Sequence, residues 1–354
     1  MFSNTIYTMK KIKTALLSYG MSGRVFHAPF LQLHDGFELT GSWERSKKLI
    51  QQDYPNVKSY ASLEELLADD IELVVVNTPV ETHYEYAKKA LLAGKHALVE
   101  KAFTTTAAEA EELNAIAKEK GLKLTVYQNR RWDSDFMTVK QVADQNLLGD
   151  IVEAEFHFDR YNPLLSPKTH KETANAGAGV LKDLGSHIID QALYLFGYPE
   201  AVHGDVRITR ENSLVDDWFD ISLYYPDKRV RLKAGFFVRE AIPAYIVHGK
   251  KGTFLKQRGD IQEDVLKTGA KPNRTDWGTE PKEKEGLLHT EINGEEVRKT
   301  IPTLQGNYYA LFDGVYKAIV ENKTEPVTAE DGIKTMQVID AVIESSKSGK
   351  IIQL

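Results

Sequence analysis

Two groups of residues in this chain have types and spacings suited to chemistry. The first is Ser18-Tyr19-Gly20-Met21-Ser22-Gly23-Arg24, a small-residue turn after the apolar run Ile12 to Leu17. A strand, such a turn and a following helix bring backbone N–H groups and a helix N-terminus against a pyrophosphate. The strict pattern is G-x-G-x-x-G, and Ser18 stands at its first glycine. A serine fits there if φ stays negative and otherwise costs about 1 kcal/mol of strain. Glu44 lies twenty-one residues beyond Gly23, at the end of a second candidate strand, Phe37 to Trp43. An acid at about that distance binds an adenosine ribose. Arg45 and Ser46 follow at once and suit a 2′-phosphate instead.

The second group lies in Gly177 to Asp190. Asp183 and His187 are four apart, so a helix would place them on one face. An imidazole beside a carboxylate can act as a general base near neutral pH. The same spacing also fits a helix-capping aspartate and a buried histidine. Asp183, His187 and Asp190 have metal-ligand types, but no further ligand spacing supports a metal site, and none is assigned.

These residues need elements to position them. From Lys11 to about Arg130, candidate strands and helices alternate, the pattern of a parallel α/β sheet. Ile71 to Asn77 is a nearly continuous apolar run, as expected of a strand buried on both faces. His96 to Glu100 and Lys123 to Tyr127 read as further strands, and Ser62-x-x-Glu65 and Thr106-x-x-Glu109 as capping boxes. Ligands bind beyond the carboxyl ends of such strands. Three features fall there: Asn77-Thr78-Pro79 with His83 one turn into the next helix, Glu100-Lys101, and Asn129-Arg130-Arg131-Trp132. Lys101 fits a solvated strand-end lysine as well as an active-site cation. His83 fits a packing histidine as well as a ligand.

After Arg131 the texture changes. Ile151 to Asp159, Phe219 to Tyr225 and Val230 to Phe237 alternate apolar and polar residues, and Pro226-Asp227-Lys228 joins the last two. Few helical crossovers separate them, so an antiparallel sheet with one free face is expected, and a free face suits oligomerisation. Lys267 to Thr300 reads as loop with short strands. Thr328 to Ser348 reads as an amphipathic helix with Ile333, Met336, Ile339 and Val342 or Ile343 inward.

Composition bounds the rest. With 354 residues, 42% hydrophobic and 27% charged, two soluble domains are the natural expectation. The absence of cysteine removes disulfides, thiolate catalysis and cysteine-ligated metals, and fits a cytoplasmic location. A net charge of −6 without a dense basic tract argues against nucleic acid. No apolar stretch reaches the roughly 18 residues a membrane span needs, and Met1 to Lys10 lacks a signal-peptide core.

Together these residues resemble the glucose–fructose oxidoreductase/inositol dehydrogenase (Gfo/Idh/MocA) family over nearly the whole chain. The family's Glu-Lys-Pro appears as Glu100-Lys101-Ala102, and its Asp-x-x-x-His as Asp183 to His187. Tyr127 to Asp133 and Val247 to Gly252 are similar to its NADP-dependent inositol dehydrogenase branch. The resemblance implies a Rossmann parallel sheet for dinucleotide binding at 11–130. It implies an α+β domain with a large, mostly antiparallel sheet for substrate and oligomerisation at 131–354. It further implies hydride transfer between a secondary alcohol of a cyclic polyol or sugar and NADP or NAD, with NADP favoured and Glu44 turned away. His187 would accept the alcohol proton, Lys101 would polarise the oxygen and Asp183 would bind a neighbouring hydroxyl. Ser18 to Arg24, Glu44 to Ser46, Asn77 to Pro79, His83, Glu100 and Asn129 would hold the cofactor. Asn129 and Arg131 would line the cleft. A homodimer or homotetramer through the second sheet is implied. Two other readings use the same parts: an NAD-dependent glycosidase oxidising its sugar transiently, and a non-catalytic NADP-binding redox sensor. Two departures stand out. Ala102 replaces a proline that would fix φ, and Ser18 replaces a glycine.

Overall fold

The alternating first third folds as a six-stranded parallel sheet in the computed structural model, which describes residues 10–44, 47–167, 172–273 and 275–354. Its strands are β1 (Ile12–Leu16), β2 (Phe37–Trp43), β3 (Lys58–Tyr60), β4 (Leu73–Val76), β5 (His96–Val99) and β6 (Leu124–Val126). Their order is β3-β2-β1-β4-β5-β6, all parallel. Every residue of β4 is buried, because helices cover both faces of a parallel sheet. The order reverses between β1 and β4, which opens a crevice at their carboxyl ends. Ser62 and Thr106 each accept the N–H of the glutamate three residues on, as the capping pattern predicts. The glutamates reach back one residue further, to the N–H groups of Ala61 and Thr105.

The second sheet has nine strands. They are β7 (Ile151–His157), β8 (Ala201–Arg207), β9 (Trp218–Tyr224), β10 (Arg229–Gly235), β11 (Tyr245–Gly249), β12 (Gly252–Lys256), β13 (Gly286–Ile292), β14 (Glu295–Ile301) and β15 (Ile352–Gln353). The order is β14-β13-β12-β11-β7-β10-β9-β8-β15. Pairing is antiparallel except between β7 and β10, which run parallel. The helix Ser186–Phe196 lies in the connection that this parallel pair requires. The period of two shows directly: Phe219, Ile221, Leu223, Val230 and Leu232 are buried. Asp220 and Arg231 sit on the other face and pair at 2.6 Å.

One expectation is corrected. Residues 267–300 contain more strand than loop character suggested, since β13 and β14 form a hairpin seven residues long on each side. Asn293 and Gly294, at φ 54° and 83°, close it as a two-residue turn with both φ positive. Glu295-Glu296-Val297-Arg298-Lys299 hides the strand because β14 is an edge, where charge protects unpaired backbone.

The helix Ala329–Ser348 begins with the Thr328–Asp331 capping box and buries Met336, Ile339 and Val342. Ile333 and Ile343 are only partly buried against the same core. The helix Tyr308–Val320 returns to the first sheet, where Leu311, Phe312 and Val315 share a core with Ile12, Leu16 and Phe30. Phe30 and Phe312 stack at 5.4 Å. Residues 130/131 therefore mark a change of topology, while packing crosses that point. Among the described residues no helix is long and apolar enough to cross a membrane.

Candidate active site

The turn after β1 is built by short polar contacts. Ser18 keeps a negative φ, so it carries no left-handed strain. Its hydroxyl accepts the N–H of Gly20 at 3.2 Å, and its carbonyl accepts Nδ2 of Asn77 at 2.7 Å. A Cβ on Gly23 would lie 2.4 Å from the Ser18 carbonyl oxygen, so only glycine fits this approach. The Ser22 hydroxyl donates to Glu100 at 2.9 Å, and Nε2 of His27 meets the same carboxylate oxygen at 2.9 Å. Burial pushes the Glu100 carboxyl up, but the His27 contact and the Lys101 charge outweigh it and hold the group low. Ser22 and Glu100 thus face inward and tie the turn to the end of β5. Tyr19 and Arg24 both attach to Asp53, at 2.8 and 2.9 Å. Met21 is exposed. The helical run begins at Met21, two residues before the π-helical turn Gly23–His27, and no side chain caps that turn. The Gly23 approach at the carboxyl end of β1 fits a dinucleotide.

A cleft of about 350 Å³ runs from Ser18, Tyr19 and Gly20 past Glu44 and Lys47 to Thr78 and Pro79. Glu44 does not present a free carboxylate to a ribose. It accepts the N–H groups of Leu49 at 2.9 Å and Ile50 at 3.1 Å, donors at the start of the helix Ile50–Asp53 that have no intrahelical partner. Arg45 and Ser46 lie outside the described residues. Lys47, which the sequence pattern did not single out, lines this cleft. His83 is fully buried, with one ring nitrogen 2.8 Å from the Ala102 carbonyl and the other 2.8 Å from that of Thr78. Burial pushes its imidazole down, against the pull of those carbonyls. His83 therefore joins the loops after β4 and β5, with no nitrogen left for a cofactor. Asn129 is buried at the start of the short turn Asn129–Trp132.

Arg131 is a further correction. Instead of lining the cleft it makes two bonds to Asp190, at 2.7 and 2.8 Å, and reaches Asp331 at 3.3 Å. The Arg131–Asp190 pair is buried on both sides.

The chemistry gathers around Lys101. Its Nζ donates to the Asp183 carboxylate and to the Asp183 carbonyl, each at 2.7 Å. An ammonium has three N–H donors, so one remains for a substrate oxygen. Ala102 follows across a cis peptide bond. Asp183 neither caps a helix nor shares a regular α-helical face with His187. It sits in a π-helical turn, Leu181–Gly185, and His187 opens the α-helix Ser186–Phe196 behind it. Wide turns of this kind are frequent at functional sites. His187 is buried, and its Nδ1 has no hydrogen-bond partner among the described residues. Burial, and then the charges of Lys101 and Arg130, hold its imidazole well below the usual histidine range, against Asp183. The neutral imidazole is thereby the favoured form.

Lys101 and Asp183 open into a cleft of about 260 Å³ that shares Thr78, Pro79 and Glu81 with the cofactor-side cleft. The two spaces are therefore neighbours across the loop after β4. Three of its residues carried no sequence signal. Lys182 Nζ donates to the Thr105 carbonyl at 2.6 Å and to the Ala176 carbonyl. Asp216 accepts the Leu181 N–H at 2.7 Å at the start of the π-helical turn, and its carboxyl packs where any side chain at Gly179 (φ 97°) would lie. Arg160 lines the cleft just after β7.

Two family models match this chain. Residues 12–128 match the NAD-binding Rossmann fold of the Gfo/Idh/MocA oxidoreductases, and residues 140–354 match their C-terminal alpha/beta domain. The chain belongs to this oxidoreductase family. Among its relatives, scyllo-inositol 2-dehydrogenase (NADP(+)) IolW of Bacillus subtilis is 40% identical over 97% of this chain and 96% of that one. D-apiose dehydrogenase of Paraburkholderia graminis is 23% identical over 99% of this chain and 92% of that one. An oxidoreductase from Bacillus cereus superposes with a TM-score of 0.89 at 33% identity, covering 98% and 99% of the two chains. A Bacteroides fragilis structure gives a TM-score of 0.89 at 44% identity, covering 98% of this chain and all of that one.

Proposed function

We propose that this oxidoreductase interconverts a secondary alcohol and a ketone on a cyclic polyol or sugar, with NADP in preference to NAD. The observation that carries the reading is the cluster itself: Lys101 held 2.7 Å from Asp183, beside a histidine kept neutral by burial and positive charge. When bound, the nicotinamide supplies the hydride acceptor, or the donor in reverse. His187 takes the hydroxyl proton as the carbon is oxidised. The third N–H of Lys101 polarises the same oxygen and stabilises its developing negative charge. Asp183 aims Lys101 and accepts a hydrogen bond from a neighbouring substrate hydroxyl.

The NADP preference rests on the cofactor-side cleft. Glu44, whose charge would repel a 2′-phosphate, is engaged by two backbone donors. Lys47 lines the same space, and Arg45 is its neighbour in sequence. The NADP(+) in the name of the Bacillus subtilis relative agrees with this. An absorbance screen at the nicotinamide band, with both cofactors against inositols and aldoses, tests the reading. Stoichiometric reduction of NADP by at least one neutral or substituted member is expected. Product release needing only catalytic cofactor, or no reduction at all, would refute it. Arg45→Ala should weaken NADP by roughly 1.5–3 kcal/mol, one charge-assisted contact, and NAD less.

A further inference from the structure

Arg160 is a cation of this cleft that the reaction does not use; of the others, Lys182 is held by the Thr105 and Ala176 carbonyls and Arg210 by Glu172 and Asp217. Its backbone is pinned: the N–H donates to the Gly235 carbonyl at 2.9 Å, and the carbonyl accepts the Val238 N–H at 3.1 Å. Its guanidinium sits 5.1 Å from the centre of the Phe158 ring. Arg258 and Arg130 stand over the same ring at 3.9 and 5.0 Å, and the His187 ring lies 6.5 Å from it. Three guanidinium groups therefore surround one aromatic ring next to the proposed base.

The neighbouring cations are compensated. Arg130 pairs with Glu263 at 2.6 Å and Asp133 at 3.1 Å. Arg258 donates to the His157 carbonyl at 3.0 Å and approaches Asp133 at 4.0 Å. Lys101 holds Asp183. Among the described residues Arg160 has no ion pair and no side-chain hydrogen bond, and none of the remaining residues is Asp or Glu. Elsewhere on the cleft wall, Glu172 pairs with Arg210 at 3.1 Å, and Asp216 accepts the Leu181 N–H. Arg160 is exposed on the cleft wall, and the partial desolvation it meets there, with Arg130 and Arg258 near it, draws its guanidinium down despite Asp183 and Glu263. A cation held among cations is stabilised by an incoming anion, and a guanidinium matches the two oxygens of a carboxylate or phosphate.

We propose that the substrate is a polyol or sugar bearing a carboxylate or phosphate, and that Arg160 binds that anionic group while Lys101 and His187 hold the reacting hydroxyl. The inference rests on the dehydrogenase reading above for the second half of that assignment only. The test is calorimetric titration of the protein saturated with NADP. The probes are glucuronate and glucose 6-phosphate against glucose, and myo-inositol 1-phosphate against myo-inositol. At least one anionic member should bind 10-fold or more tightly than its neutral parent. That advantage should shrink as salt rises, vanish in Arg160→Gln and survive in part in Arg160→Lys. The carboxylate and phosphate probes tell the two anion sources apart. Equal affinity for charged and neutral members, or an advantage that persists in Arg160→Gln, overturns the proposal. So does a 10-fold loss of NADP affinity in that variant, which would assign the guanidinium to the cofactor. Turnover of neutral sugars without any anionic advantage removes this inference and leaves the dehydrogenase reading. Tight anion binding without hydride transfer does the reverse.

Discussion

Replacing Lys101 with methionine preserves the length of the side chain and removes its ammonium. Two of the three N–H donors are engaged by Asp183, so the reacting oxygen loses one charge-assisted donor. The Lys101 side chain is 18% exposed, so its field is only partly screened by water. Loss of one such donor costs about 10²–10³ in kcat, or ~3–4 kcal/mol. Asp183 also loses its contact with the Lys101 ammonium, and the negative charge of its carboxylate beside a developing alkoxide adds to the loss. A second consequence has a definite sign. The Lys101 charge is the next cause, after burial, that holds His187 low. Removing it raises the His187 pKa, so the acidic limb of kcat/KM moves to higher pH. Burial remains, so the limb stays below the ordinary histidine range. Steady-state rates read from nicotinamide absorbance across about pH 5 to 9, together with NADP Kd and Tm, measure all of this on one variant. A kcat within a few-fold of the parent would remove Lys101 from the chemistry, and an acidic limb displaced to lower pH would refute the electrostatic argument.

Arg131→Met should destabilise the fold by about 3–5 kcal/mol, because it leaves Asp190 buried and unpaired. Burial already raises the Asp190 carboxyl against Arg131, so the unpaired group protonates more readily. The deficit is therefore largest near neutrality and shrinks in acid, as urea titrations at two pH values would show, with kcat little changed. Asp216 is pushed up to about 6, chiefly by burial, from an ordinary value of 3.8. Its folded pKa is raised, so its favourable protonated contribution is lost as pH rises through 6. Asp216→Asn should thus be more stable than the parent by ~1–2 kcal/mol above that pH, with the difference gone near the unperturbed carboxyl range. Equal melting curves at all pH values would refute it. Gly23→Ala drives a methyl group into the Ser18 carbonyl and should weaken both NADP and NAD at least 10-fold, about 1.4 kcal/mol. Unchanged titrations would show that the turn yields freely.

What the sequence determined by itself was whatever depends on local periodicity or on a short motif. The Leu73–Val76 run announces a strand buried on both faces, and alternation in β9 and β10 announces the inner face of the second sheet. Thr328 and Asp331 announce the start of the last long helix. Lys101, Asp183 and His187 were legible through the family resemblance, since Lys101 alone reads equally as a solvated strand end. The edge strand β14 was partly hidden because its charge pattern serves protection rather than burial. What only the tertiary structure decided are the partners, and partners are set by approach between distant segments. Lys101 and Asp183 meet across 82 residues, and Arg131 and Asp190 across 59. Those approaches aim one cation into the cleft and bury the other away from it. Glu44 has the right type and distance for a ribose, yet two N–H donors at the start of the next helix claim its carboxylate. Arg160 carries no motif at all. Its significance comes from having no ion pair among the described residues while the nearby Asp183 is held by Lys101, which a linear sequence cannot express, because charge compensation is a property of the space around a residue.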